Sequence, residues 1–309
     1  MTPSKRDRTV IPLREEYADR AAMLRASGIV TPLCGPERLG TIGGDGREFP
    51  LPALEQVEEL FRCNDELVRE KHAQGFDRLE LTPMAMPLPA LIGRLRATVL
   101  KRSAEGGIFQ TRSSSTDALV PVRVNSEKQV WVWDTLRHAF EAGDLVYFPK
   151  ELSDDHQGMT KGEAIDDESI CAFPGWSIGL TESIPFMSKP GQVTITGGRE
   201  RLEAGLSPNE YISALKNGPY RGETGNTLED FLVRSICRLE ATGEVSNDVS
   251  DDNALWCLGQ YLRISYAQVV PTGRWHRSIG RFRLDMHRTN NKQCTKSFGA
   301  TTVVRLSGG

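Results

Sequence analysis

The hydrophobic patterning of the chain predicts an α+β fold, and three observations carry that reading. Residues 52–74 repeat apolar positions at spacings of three and four (Leu54, Val57, Leu60, Phe61, Leu67) with charges between them, as an amphipathic helix does. Residues 281–287, Arg-Phe-Arg-Leu-Asp-Met-His, alternate polar and apolar, as a half-buried strand does. Helical texture dominates before about residue 110 and strand-like runs after 128, with the Gly/Ser/Thr-rich stretch 103–117 between them as a loop or linker. A helix-rich N-terminal domain with a β-hairpin is therefore expected over 1–115, and a second domain over 128–309.

Taken in order, residues 13–27 are rich in helix formers and stop at Gly28. Asp45-Gly46 lies between short alternating arms and predicts a hairpin at about 40–50. The glycines of Leu39-Gly-Thr-Ile-Gly-Gly-Asp-Gly lack the lysine of a phosphate loop. The long helix of 52–74 is closed by Gly75, a strand follows at Arg78–Thr82, and Ala90–Arg102 is helical. Val130-Trp-Val-Trp and Leu145-Val-Tyr-Phe-Pro are strands around a helix ending at Gly143. Trp176–Thr181 and Gln192–Thr196 are further strands. Ser207-Pro-Asn-Glu carries a capping box with proline at the first helical position, and Thr227-Leu-Glu-Asp opens a helix buried at 231, 232, 236 and 239.

Composition excludes several classes. The 309 residues are 39% hydrophobic and 26% charged, which rules out collagen-like, coiled-coil and wholly disordered chains. No apolar run reaches the roughly 20 residues of a membrane-spanning helix. The charged start shows no secretory signal, which predicts a cytoplasmic protein and leaves surface display to another route. The six cysteines (Cys34, Cys63, Cys171, Cys237, Cys257, Cys294) show no Cys-x-x-Cys pairing, and Cys63 and Cys237 fall in helical patterns as core thiols. Nothing in the sequence calls for a metal or another cofactor.

Net charge is −3, but it is unevenly spread. From Asp251 onward nine Lys/Arg face three acids. Apolar anchors interrupt this basic stretch: Trp256, Leu258, Val269, Val270, Trp275, Phe282, Leu284, Phe298, Val303, Val304 and Leu306. Thr289-Asn-Asn-Lys is a turn, and Thr301–Leu306 a closing strand. The segment is expected to form an antiparallel ribbon with one polar face, which is either an ordinary solvated face or a ligand-binding one. Arginine offers a planar fork, and asparagine and histidine both donate and accept.

Val146-Tyr-Phe-Pro-Lys-Glu-Leu, Gly198-Arg-Glu-Arg-Leu-Glu-Ala, Ser207-Pro-Asn-Glu-Tyr and Thr227-Leu-Glu-Asp-Phe resemble a family of uncharacterised proteins from small-genome candidate-phylum bacteria. That family shares most of its length and diverges in a C-terminal stretch framed by Val-Pro…Trp and Gly-x-Arg-x-x-Val-Arg. Here the frame is Val270-Pro271…Trp275 and Gly299–Arg305, with threonine at 301 where the family carries arginine. A constant frame around a variable insert resembles the target proteins of diversity-generating retroelements. The resemblance implies a C-type-lectin-like domain, related in shape to formylglycine-generating enzymes, over 128–309, with a variable segment at about 263–305. It implies no enzymatic activity, because the copper-binding cysteine pair of those enzymes is not recognisable.

On this reading the protein binds a protein or glycan ligand through His276, Ser278, Arg281, Arg283, Asp285, His287, Asn290, Asn291 and Lys292. Asn290-Asn291 suits adenine-rich codons and ordinary turn chemistry alike. Two alternatives stand beside it. One is a hydrolase-like enzyme using Asp154, Asp155 and His156, or Glu182. The other is a nucleic-acid binder acting through the basic segment, disfavoured because Trp275, Phe282 and Phe298 occupy core-like positions.

Overall fold

The computed structural model describes residues 11–35, 38–111, 118–183, 191, 194–245, 254–264, 267–290 and 298–308. Among these are eight α-helices: α1 (Leu13–Ala26), α2 (Leu54–Cys63), α3 (Asp65–Ala73), α4 (Leu88–Ala104), α5 (Asp134–Ala142), α6 (Lys161–Asp166), α7 (Pro208–Leu215) and α8 (Leu228–Thr242). With the sheets below they make an α+β fold. No helix among the described residues is long and apolar enough to cross a membrane.

Most of the expected elements form, and the differences have local causes. The helix read over 52–74 breaks into α2 and α3 at Asn64. Its side-chain amide donates to the carbonyls of Leu60 (2.9 Å) and Ser307 (3.0 Å), and its backbone leaves the helical region (φ −107°, ψ 21°). Cys63, expected in the core, is exposed at that break with Sγ against Glu59, outside the buried stripe of Val57, Leu60 and Phe61. Cys237 is buried as expected. The short helix α6, not among the expected elements, follows a capping box of Thr160 and Glu163. Residues 112–117, 192–193, 291–292 and Cys294, on which other expectations fell, lie outside the described residues.

Two sheets organise the core. A four-stranded antiparallel sheet runs in spatial order Glu223–Gly225, Thr302–Arg305, Ser177–Glu182, Phe76–Thr82. A seven-stranded mixed sheet is built on the ribbon Ala267–His276 and Arg281–Arg288, paired from Val269↔Arg288 to His276↔Arg281. Val130–Val132 adds parallel to the second ribbon strand. Gln260–Ile264 and Ala254–Trp256 share the outer edge of the first. Pro271 and Gly273 argue against a long strand there, and the structure explains the glycine. A Cβ at Gly273 would stand 2.6 Å from the ring of Phe231, so the ribbon touches α8 only because that side chain is absent.

The division drawn near residue 115 falls inside a shared core. Phe76–Thr82 pairs with Ser177–Glu182, α1 and α4 pack on α8, and one apolar cluster runs from Ile11 to Leu306.

α8 lies at the centre of that core and is buried continuously from Leu228 to Cys237. Its apolar side meets the ribbon through Phe231, which packs edge-on to Phe282. Its polar side meets the four-stranded sheet, and every charge there is paired. Asp230 accepts from Arg305 (2.5 Å) and Thr82 (2.8 Å), while closing the capping box on Thr227. Glu229 accepts from Lys161, Tyr147 (both 2.8 Å) and Gln260 (2.9 Å). Arg234 reaches Glu80 (3.5 Å) and Asn226 (3.0 Å). Nearby, Arg199 grips Glu223 through two nitrogens (2.8 and 2.7 Å), and the fully buried Lys71 completes that site at 2.8 Å. Only Glu80 Oε1 among these carboxylate oxygens is buried without a hydrogen-bond partner. A charge pair taken out of water is tolerated only when it is well paired, and removing one partner is then costly.

Burial alone would raise the Asp230 carboxyl, but Arg305, the Thr227 amide and Thr82 overcome it and hold the group below its ordinary value of 3.8. A carboxyl lowered in the folded state stabilises above its unfolded pKa and loses that contribution as pH falls through the folded one. Asp230→Ala is expected to cost about 3–5 kcal/mol in urea unfolding. Wild-type stability is expected to decline as pH drops below 3.8, and Asp230→Asn to flatten that part of the profile.

Candidate functional site

Strand alternation and register decide which side chains share the polar face of the ribbon. His276 stands opposite Arg281, Arg274 opposite Arg283, Thr272 opposite Asp285 and Val270 opposite His287. Directly opposite residues point to the same side of a sheet. The parallel neighbour brings Trp131 level with Arg283, and the outer strand brings Trp256 level with Thr272. Trp275, Phe282, Leu284 and Met286 point the other way into the core. The expected anchors Trp275, Phe282 and Leu284 thus lie opposite the polar positions, but Val270 and Trp256, also expected as anchors, share the side of His287 and Thr272.

The face is not uniform. At one end Arg283 lies over the Trp131 ring at 4.4 Å while its Nε and Nη2 both donate to Asp285 Oδ2, at 2.8 and 2.7 Å. Asp285 is buried, and its other oxygen accepts from the Met286 amide (3.0 Å). The guanidinium is thus held on one face by Trp131 and along one edge by Asp285, with about 0.5–1 kcal/mol expected from the stacking alone. Arg281 and His276 flank it, both half-buried. Ser278 is exposed in the tight turn of Arg277–Ile279 and lies 3.2 Å from His276 Nδ1.

At the other end the same face is covered. His287 stacks edge-on against Phe298 (4.9 Å) and Trp256 (6.0 Å). Trp256, Phe298 and Val270 belong to a second apolar cluster with Tyr211 of α7, so this end is interior rather than display surface. Asn290 is exposed beyond it, in an open polar cleft of about 440 Å³ shared with Arg263, Gln268 and Arg288. The two ends lie about 23 Å apart at 3.3 Å per residue. The structure therefore brings His276, Ser278, Arg281, Arg283 and Asp285 together, turns His287 inward and places Asn290 at the far end. Asn291 and Lys292 lie outside the described residues.

Trp131 and Arg274 complete the cluster and were not among the expected site residues. The alternation Val130-Trp-Val132 places Trp131 on the side away from the core. A parallel pairing across some 150 residues carries no local signal.

The residues considered for hydrolysis are dispersed. Asp154 pairs with Arg263 (3.4 Å), and His156 Nδ1 accepts from the Gly158 amide (3.0 Å). Glu182 pairs with Arg199 and Arg201 in the buried charge network. No group of three or more His, Cys, Asp or Glu among the described residues could hold a metal ion. Comparison of the chain with protein-family models, with curated proteins and with solved structures finds no match.

Burial pushes the His287 imidazole below its ordinary value of 6.5, Asp285 opposes this, and Arg274 and Arg283 add to it. A base lowered in this way contributes stability above its unfolded pKa and loses it as pH falls through the folded one. In an NMR titration Arg283→Met is expected to raise the His287 midpoint, and Asp285→Asn to lower it. Unchanged midpoints in both variants would contradict the grouping of these charges.

Proposed function

We propose that the chain is a ligand-binding protein of the kind diversified by retroelements, carrying a C-type-lectin-like domain and recognising a protein or glycan ligand through the open end of the ribbon. The observation that carries this reading is the contrast between the two sides of the ribbon. Its apolar side is locked to α8 at Gly273 and Phe231. Its other side presents Arg283 stacked on Trp131, flanked by His276, Ser278 and Arg281. A preorganised arginine and an aromatic ring on a rigid support are the residue types that dominate binding energy at protein interfaces.

The motifs that resemble the bacterial family fit the same division. Thr227, Glu229, Asp230, Arg199, Tyr147 and Arg305 all make buried polar contacts of the frame, not of the open face. The helix opened by Thr227, a Trp-bearing segment at Trp256 and a late two-stranded ribbon support the C-type-lectin-like reading. Side chains on the open end can change at little cost, since surface substitutions away from special features usually shift stability by only about 0.5 kcal/mol.

The test is the DNA flanking the gene, together with gene sequences from many cells of one population. A near-copy of the codons for roughly 270–305 beside a reverse-transcriptase gene is expected. Substitutions should concentrate at adenine-bearing codons of open-end positions such as His276, Ser278 and Arg281, and spare Asp230, Gly273, Phe282 and Arg305. Absence of both the repeat and the reverse transcriptase sinks the retroelement role.

A further inference from the structure

A cleft of about 280 Å³ lies between four elements away from the ribbon: the 43–47 hairpin turn, the start of α4, the end of α5, and α6. Its walls are apolar, made by Phe49, Leu88, Phe140, Leu145 and Ile165. Two cations line it: the exposed Arg47 at the rim, over the Phe49 ring at 5.1 Å, and the more buried Lys161. Lys161, at the first position of α6, donates from Nζ to the Met86 carbonyl and to Glu229 Oε1, both at 2.8 Å, with its ammonium 6.0 Å from the centre of the Tyr147 ring. An ammonium has three N–H donors, and these bonds use two. The Lys161 side chain is 25% exposed, and it lines the cleft, so the third donor is open to an occupant. An apolar hollow with one fixed polar group is the usual construction of a small-molecule site.

The charges around the cleft choose the kind of occupant. Glu229 is fully buried behind Lys161 and already neutralises it. A ligand carboxylate on the same ammonium would stand within about 6 Å of that carboxylate, where like charges disfavour ionisation. At the rim Arg47 is shared between Asp45 (2.5 Å) and Asp166 (3.5 Å), which leaves the mouth with more anions than cations. A ligand without a hydrogen-bond acceptor would leave the third ammonium donor dry and unpaired, which costs free energy.

We propose that this cleft binds an uncharged, largely apolar small molecule whose single carbonyl or hydroxyl oxygen accepts from Lys161. The site is separate from the ribbon and does not depend on the function assigned to it.

Three probes of nearly equal size test it: 4-phenylbutan-2-one, butylbenzene without the oxygen, and 3-phenylpropanoate with a carboxylate. Each is titrated into methyl-labelled protein while the resonances of Leu88, Leu145 and Ile165 are followed. The ketone is expected to saturate those shifts with a Kd of about 1 mM. Butylbenzene should bind about fivefold more weakly for want of the hydrogen bond. The carboxylate should bind about tenfold more weakly because of Glu229. Gly162 lines the cleft and a Cβ added there meets only Thr160 Oγ1, at 3.9 Å, so Gly162→Phe crowds the site without a clash and, with its fold checked by circular dichroism, is expected to weaken the ketone. Failure of the ketone to shift those methyls by about 10 mM, equal binding by the Gly162→Phe variant, or preference for the carboxylate would each overturn the proposal.

Discussion

The Asp230–Arg305 pair is the constraint on which the rest of the structure depends. It joins the buried first turn of α8 to the closing strand of the chain, 75 residues later. A buried carboxylate in that position is stable only if every lone pair is met, and the sequence meets them from four directions: the Thr227 cap, Thr82 of the first long strand, Arg305, and the helix N-terminus itself. The cap and the helix N-terminus belong to one stretch of chain, and Thr82 and Arg305 to two others. Satisfying one carboxylate therefore fixes the relative positions of α8, the Phe76–Thr82 strand and the closing strand at once. The neighbouring pairs repeat the device: Glu229 draws in α6 through Lys161, and Glu223 draws in α3 through Lys71.

This arrangement separates two jobs. Specificity of fold rests on charged pairs along one side of α8, and apolar burial rests on the other side, where the ribbon lies. The ribbon contributes Trp275, Phe282 and Leu284 to the core and little to the charge network. Its outward side chains are more exposed at the open end, where Ser278 stands in the turn, than at the covered end. There His287, Trp256 and Phe298 form part of a second cluster with α7. Asp285 lies between the regimes, buried yet serving to hold Arg283 on Trp131. The burial of the outward side chains is therefore graded along the ribbon rather than uniform.

The local elements were legible because their signals are local. The capping boxes at Ser207 and Thr227, the alternation of 281–287 and the glycine stop at Gly143 each follow from a few neighbouring residues, and each appears where expected. What escaped the sequence is long-range. The basic character of the last segment suggested one polar display face, and alternation did place Arg281, Arg283, Asp285 and His287 together. Alternation is blind to what packs on that face, so it could not separate the open Arg281 from the covered His287. Nor could it reveal Trp131, brought alongside Arg283 by a parallel pairing. The break at Asn64 was hidden for a similar reason, because one of its two bonds goes to Ser307 at the far end of the chain.

The short motifs that resemble the bacterial family acquire a physical meaning from the same geometry. Thr-Leu-Glu-Asp supplies a cap and two buried acids, the arginine of Gly-Arg-Glu meets Glu223, and the arginine after Val-Val meets Asp230. None of these residues can be exchanged singly without stranding a charge in the interior. Threonine at 301, where the resemblance leads one to expect arginine, fits the same logic. Its hydroxyl and carbonyl take Asn226, and the hydroxyl also receives Arg234 of α8, so a guanidinium already occupies that part of the network. A frame held by mutually dependent buried charges resists change in concert. The open end of the ribbon lies outside the Asp230–Arg305 and Arg199–Glu223 pairs, so a change at Ser278 or Arg281 strands neither of those buried charges.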